Sequence, residues 1–390
     1  MSEIKQGYKQ TKVGIIPEDW EVVKLGNICK FYKGKGISKE NLSEEGIPCI
    51  RYGELYTTYN EKIDNVFSKT NVDIKELFLS KSNDIIIPAS GETAIDIATA
   101  SCVLHDNIAL SGDLNVIRTK ENGIFLSYYL NVVAKHRIAS IAQGVSVVHL
   151  YSSQLENLFL SLPPLKDQEK IAEILTTWDE AITKQTELLE AKELQKKALM
   201  QKLLSGEVRF NGLNDVWQEI RLDKLVFFQE GPGVRNTQYR KSGVKLLNVG
   251  NLNNNILNLS STETYISEEE AYGVYKHFLV DEGDLLISCS GINSESFKKK
   301  IAFVKKEHLP LCMNTSTMRF KNLKNKLLLE YLYFFFQTLF FEKQVFGVLT
   351  GSAQFNFGPT HIKWFKIKLP SLPEQQKIAE VLSLADDEIN

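Results

Sequence analysis

The sequence predicts an α+β chain: two tandem, pseudo-two-fold-related mixed domains, mostly β, joined by long antiparallel helices that form a coiled-coil-like spacer. Three observations predict it. The chain is written twice, the positions kept by both copies are glycines and aliphatic runs, and each copy ends in an amphipathic stretch opened by Pro-x-Leu-x-x-Gln. At 390 residues the chain exceeds one ordinary domain, and 43% hydrophobic with 24% charged residues is a globular composition rather than a disordered one.

The repeat governs every other reading. Residues 163–182 align without a gap on residues 370–389: Pro163 on Pro370, Leu165 on Leu372, Gln168 on Gln375, and Lys170-Ile171-Ala172-Glu173 on Lys377-Ile378-Ala379-Glu380. Upstream, a second block pairs Trp20 with Trp217, Leu25 with Leu222, Gly34 with Gly231 and Gly36 with Gly233. It continues through Gly46 with Gly243, Gly53 with Gly250 and Leu55 with Leu252. Asp84 through Gly91 corresponds to Asp284 through Gly291, and Gly144 to Gly351. Glycine persists where a backbone needs a positive φ or a close approach, and apolar runs persist where a core needs filling. The polar residues between them differ almost everywhere. One scaffold carrying two polar surfaces is what two modules recognising two different things require.

Each unit opens at its tryptophan with a short strand, then a Gly-rich turn, then strand-like Gly46–Ile50 or Val244–Leu247. Asp84–Ile87 and Asp284–Ile287 are short, aliphatic and bounded by turn residues, which predicts buried strands. Phe125–Val133 and Leu327–Phe341 each predict a buried helix. The latter, about 15 residues interrupted by Glu330 and Gln337, is too short for a membrane span. From Asp167 to Leu204 there is no Gly or Pro, and Ile171, Ile174, Leu175, Trp178, Ile182 and Leu189 share one helical face. Ser205-Gly206 ends this helix, which would be about 50–55 Å long.

A single apolar stripe of that length needs a partner, and the matching helix carrying Ile378 and Leu382 is the expected one. Only about 14 residues follow Lys377, roughly 20 Å of helix, so part of Ile171–Leu204 is left for a second copy of the chain or another subunit. The expected boundaries are 1–162 for the first domain, 163–210 for the first spacer helix, 211–368 for the second domain and 369–390 for the short second spacer helix. Two-fold-related domains on one side of a helix pair match B-DNA, where such readers contact half-sites about 34–36 Å apart.

No catalytic constellation stands out. Lys33-Gly34-Lys35-Gly36-Ile37 lacks the first glycine and final hydroxyl of a P-loop, and Gly231-Pro232-Gly233 is its repeat partner, hence a shared turn. Leu162-Pro163-Pro164-Leu165 lacks the amide or carboxylate that an amino-methyltransferase motif places before Pro-Pro. The six histidines (His105, His136, His149, His277, His308 and His361) show no metal-ligand spacing. Asp167-Gln168-Glu169-Lys170 has the letters of a nuclease motif but sits on a repeated helix start, where Glu374 and Lys377 also occur, so capping and solvation explain it. Cys29, Cys49, Cys102, Cys289 and Cys312 are scattered and odd in number, which supports neither a disulfide framework nor a zinc site and fits a reducing cytosol. The polar opening MSEIKQGYKQTKVG is no secretory signal, so a cytoplasmic, membrane-free protein is expected.

A formal net charge of −2 gives no bulk attraction to nucleic acid, so any such partner must be held by local patches. Basic, amide and aromatic residues interleave beside the turn glycines. In the first unit these are Lys33, Lys35, Arg51, Tyr52, Tyr56, Arg118 and His149. In the second they are Arg235, Asn236, Gln238, Tyr239, Arg240, Asn248, Asn251, Gln354 and Asn356. Arginine pairs bidentately with guanine and Asn or Gln with adenine, while Lys and Tyr mostly hold phosphate.

These residues resemble a known family. The helix start present twice, the opening Gly7-Tyr8-Lys9-Gln10-Thr11 through Ile15-Ile16-Pro17-Glu18-Asp19-Trp20, and Leu203-Leu204-Ser205-Gly206-Glu207-Val208-Arg209-Phe210 are similar to type I restriction-modification specificity (S) subunits. The resemblance implies two target-recognition domains, each reading half of a bipartite site in double-stranded DNA. It implies helices that dock two methyltransferase (M) subunits, which restriction (R) subunits then join. S-adenosylmethionine and adenine methylation would belong to the M subunits, ATP and Mg²⁺ to the R subunits, so this chain would hold no cofactor and do no chemistry. The competing expectations are a coiled-coil interaction subunit without its own DNA selectivity, and a stand-alone methyltransferase.

Overall fold

A computed structural model describes residues 4–291, 293, 297–323, 325–348 and 356–389. The chain divides into two compact units, Met1–Gln185 and Thr186–Asn390.

In the first unit a five-stranded sheet runs in the order Cys29–Lys33, Leu114–Thr119, Asp84–Pro88, Ser101–Val103, Lys62–Ile63. Its centre is antiparallel, with Ile85 opposite Ile117 and Ile87 opposite Asn115. Asp84–Pro88 is buried along its whole length. Ile85 and Ile87 enter one core with Phe125, Leu126 and Leu130 of the helix Gly123–Val132, while Ile86 enters another with Ile50 and Val116. A strand covered on both faces reads as an unbroken aliphatic run, which makes it visible in the sequence. A second sheet orders Ala109–Leu110, Ile47–Ile50, Ser68–Thr70 and Leu42–Ser43.

The second unit rebuilds this frame. Its larger sheet orders Val226–Glu230, Thr317–Asn322, Leu285–Ser288 and Ile301–Phe303, with Leu285 and Ile287 in one core and Leu286 in another. Its smaller sheet orders Tyr265–Ile266, Val244–Leu246 and Leu311–Cys312. Equivalence extends to the turn before the central strand: the Lys81 amide donates to Asp84 Oδ2 at 2.8 Å, and the Asp281 amide to Asp284 Oδ2 at 2.9 Å. One expectation needs correcting. Leu327–Phe341 is not one helix but two, Leu329–Phe336 and Leu339–Phe346, because Thr338 caps the second by accepting from the Phe341 amide at 3.1 Å.

The long helix spans Leu165–Ser205, 41 residues. Within the first unit, Ile171 and Ala172 join the domain core, the Tyr128 hydroxyl donates to Asp179, and Lys62 pairs with Glu180 at 3.2 Å. Within the second, Leu199, Met200, Leu203 and Leu204 pack with Ile378, Ala379 and Leu382 of the helix Leu372–Asp387. There Lys192 reaches Glu388 at 2.5 Å and Lys196 reaches Asp386, so this stretch is an antiparallel pair. Of the expected interface residues, Ile378 and Leu382 are therefore buried and Ile171 and Leu175 half-buried. Trp178, Ile182 and Leu189 stay exposed at 66%, 60% and 40%. No helix among the described residues is long and apolar enough to cross a membrane.

Candidate nucleic-acid interface

In each unit two loops carry most of the candidate residues, and matching hydrogen bonds shape both. In the first loop the Ser38 amide donates to Asn41 Oδ1 at 2.8 Å, and its counterpart, the Arg235 amide, donates to Gln238 Oε1 at 3.1 Å. In the second the Arg51 amide donates to Glu54 Oε2 at 2.7 Å, and the Asn248 amide to Asn251 Oδ1 at 2.9 Å. A side chain three residues on accepts an amide that the tight turn would otherwise leave unpaired, so the turn survives sequence change wherever an acceptor of that reach remains.

This geometry divides the candidates. Gln238 spends its amide nitrogen on Glu270 and the Tyr275 hydroxyl, at 2.9 and 3.0 Å, and Asn251 spends its own on Asn258 O and Thr262 Oγ1 at 2.9 and 2.6 Å. Arg118 is locked bidentately to the buried Asp84 at 2.7 and 2.6 Å and lies 4.9 Å from the Tyr32 ring centre. The hydrogen bonds to Asp84 raise its already high pKa. Asn356 accepts the Gly291 amide at 3.1 Å, Tyr239 is half-buried, and Gln354 lies outside the described residues.

The chemistry of the remainder is open to solvent. Lys33, Lys35, Tyr52, Tyr56 and His149 are exposed in the first unit, and Arg235, Asn236 and Arg240 in the second. Arg51 and Asn248 are half-buried, and Arg51 Nε has no partner among the described residues. Tyr52 and Tyr56 meet edge to face at 6.4 Å, and His149 stacks on Tyr151 at 6.1 Å. Burial first, then Tyr52 and Asp96, push the Tyr56 hydroxyl up, so it acts as a neutral donor, here to Ser90 O at 3.2 Å. The two tyrosines also line a cavity of about 760 Å³ that includes Glu61, Glu92 and Asp96 against one Lys135. Its acidity argues against phosphate entering it, whereas the exposed edge at Lys33 and Lys35 is basic.

Sequence reasoning missed two features. The pair of the buried Asp84 with the half-buried Arg118 joins residues 34 positions apart with no motif between them. The loops at Leu110–Gly112 and Cys312–Thr315, which tie the candidate loops together, carry no distinctive residue type. The Lys35 amide donates to Leu110 O at 2.9 Å and the Tyr52 amide to Ser111 Oγ at 3.2 Å. In the second unit the Leu247 amide donates to Cys312 O at 2.8 Å.

Comparison with known proteins agrees with this architecture. The type I restriction modification DNA specificity domain matches residues 17–193 and again 214–390. The chain is 26% identical over 398 residues to the type I restriction enzyme MjaVIII specificity subunit of Methanocaldococcus jannaschii, covering 98% of this chain and 90% of that protein. It is 23% identical over 386 residues to the EcoKI specificity subunit of Escherichia coli, covering 94% and 82%. The crystal structure of the type I S subunit from M. genitalium shares the fold, with a TM-score of 0.60 at 16% identity over 95% of this chain and 90% of that one. With both of its repeats matched by that domain, the chain belongs to the type I restriction-modification DNA specificity family.

Proposed function

We propose that this chain is the non-catalytic DNA-recognition subunit of a type I restriction-modification complex, each unit reading one half of a bipartite duplex site. One observation carries the reading: loops held by the same hydrogen bonds present different side chains at equivalent positions. Ser38 stands where the second unit has Arg235, Lys39 where it has Asn236, Arg51 where it has Asn248, and Tyr52 where it has Val249. A fixed frame with exchanged polar groups changes what is read without changing how the reader folds.

The test is affinity on duplexes selected from a random pool. Arg235→Ala should weaken binding by about 1–3 kcal/mol on selected duplexes and relax the preference at positions in one half-site only. Equal weakening on every sequence would reassign Arg235 to phosphate. Binding should also fall steeply with added salt, since each neutralised phosphate releases counterions.

The exposed Ile174 and Trp178 in the first unit and Leu189 in the second are the proposed docking points for two methyltransferase subunits, through which restriction subunits would join. Large exposed apolar side chains on a charged helix are the usual anchors of such contacts. Trp178→Glu should reduce co-purification of a co-expressed methyltransferase subunit at least about tenfold, and unchanged recovery would place docking elsewhere.

A further inference from the structure

Among the glycines kept by both copies, two pairs are demanded by the fold. A Cβ on Gly34 would stand 1.9 Å from Ser111 O, and one on Gly231 2.2 Å from Asn314 O. Gly46 and Gly243 hold φ of +122° and +123°, and a Cβ there would stand 2.4 Å from Thr70 O and 2.2 Å from Ile266 O.

Two other pairs are not demanded by the fold. At Gly36, Gly53 and Gly250 a Cβ would meet nothing within 4 Å, and at Gly233 it would make only an ordinary 3.6 Å contact with the Thr315 methyl. None of the four lies in the left-handed region. Alanine fits all four positions and would restrict the unfolded chain, so folding stability alone favours losing these glycines. Both copies nevertheless keep them, although the polar residues around them have diverged.

Within each unit the two bare glycines lie on segments tied to one neighbouring loop. In the first unit Gly36 adjoins Gly112, whose Cβ would stand 3.5 Å from Gly36 N, and the turn holding Gly53 is bonded to Ser111 through the Tyr52 amide. In the second, Gly233 lies against Thr315, and the strand leading to Gly250 is bonded to Cys312 through the Leu247 amide. Each unit thus presents two bare glycines on neighbouring loops, flanked by exposed Lys35 or Arg235.

We propose that these four glycines are kept free of side chains because the sugar-phosphate backbone of duplex DNA lies against the main chain there, one patch per unit. This rests on the DNA-recognition reading above and assigns it a contact that reads no sequence. Glycine is used where another chain must approach a backbone closely, and cations beside it suit a phosphate.

The test uses the full chain, free and with co-expressed methyltransferase subunits, carrying Gly36→Ala, Gly53→Ala, Gly233→Ala or Gly250→Ala, and the valine counterparts of each. Fluorescein-labelled duplexes of random sequence and duplexes selected from that pool are the probes. The alanine variants should melt within about 1 °C of the parent or above it. Alanine should weaken binding several-fold and valine at least about tenfold, on random and selected duplexes alike. Alanine variants that bind as the parent does, or that lose affinity only by melting earlier, overturn the proposal. A parent chain that retains no duplex at all removes the DNA-recognition reading itself, and this proposal with it.

Discussion

Asp84→Ala should destabilise the folded chain by about 3–5 kcal/mol, toward the lower end because its partner is partly solvated. Asp84 is fully buried, and its two oxygens take three donors: Arg118 Nε at 2.7 Å, Arg118 Nη2 at 2.6 Å and the Lys81 amide at 2.8 Å. The alanine variant would leave the guanidinium beside the rings of Tyr32 and Phe78 without its bidentate carboxylate. The measurement is urea unfolding of the full chain. Asp84→Leu combined with Arg118→Met should recover most of the loss, because removing both charges leaves only the Lys81 amide without its acceptor. The equivalent Asp284 is held more loosely, by Lys321 and Arg319 at 3.4 Å each. Burial holds its pKa above the usual carboxylate value, and the Asp281 amide and those two cations offset only part of that rise. Asp284→Ala should therefore cost less than Asp84→Ala, and the reverse order would show that the pair geometry is not what sets the stability.

The same pair shows where sequence reading stops. Arg118 is a reasonable base reader by residue type, because a guanidinium reads guanine and binds carboxylate with one geometry. The residue alone does not say which partner is near, and Asp84 comes from another strand at no fixed spacing. Gln238 and Asn251 mislead for the same reason: their partners Glu270, Tyr275, Asn258 and Thr262 lie on segments with no periodicity linking them to the candidates. The central strands are legible as unbroken aliphatic runs and the long helix by the period of its apolar positions, and the duplication is legible because it needs no physics at all. Periodicity also places Ile171, Trp178 and Leu189 on one stripe. It cannot divide that stripe into Ile171 against a domain core and Trp178 in solvent, since that depends on where each unit ends against the helix. The glycine pairs are visible in the alignment of the two copies, but separating those the fold demands from those it does not requires the atoms around each absent Cβ.

Gln375→Ala should cost about 2–4 kcal/mol, drawn from roughly 1–3 kcal/mol for each buried group left without a partner. The side chain is fully buried at the start of the helix Leu372–Asp387. Its Oε1 accepts the Leu328 amide at 2.8 Å, and its Nε2 donates to Lys326 O and Pro370 O at 2.9 Å each. Leu328 caps the domain helix Leu329–Phe336, so one amide clasps the start of that helix to the start of the other. Gln168 makes the matching clasp in the first unit: it accepts the Asn122 amide at 3.1 Å and donates to Pro163 O at 3.0 Å and Glu121 at 2.7 Å. An amide is needed because it both accepts and donates. The carboxylate introduced by Gln375→Glu could accept from Leu328 but would turn a charged oxygen toward two carbonyls, so this variant should be no better than alanine. Hydrogen exchange distinguishes the clasp from generic core loss, because the amides from Leu328 through the first turn of its helix should lose protection before those of the central strand Leu285–Ser288. Uniform loss across both elements would mean that Gln375 merely fills space, and that the glutamine shared by the two helix starts holds neither helix to its domain.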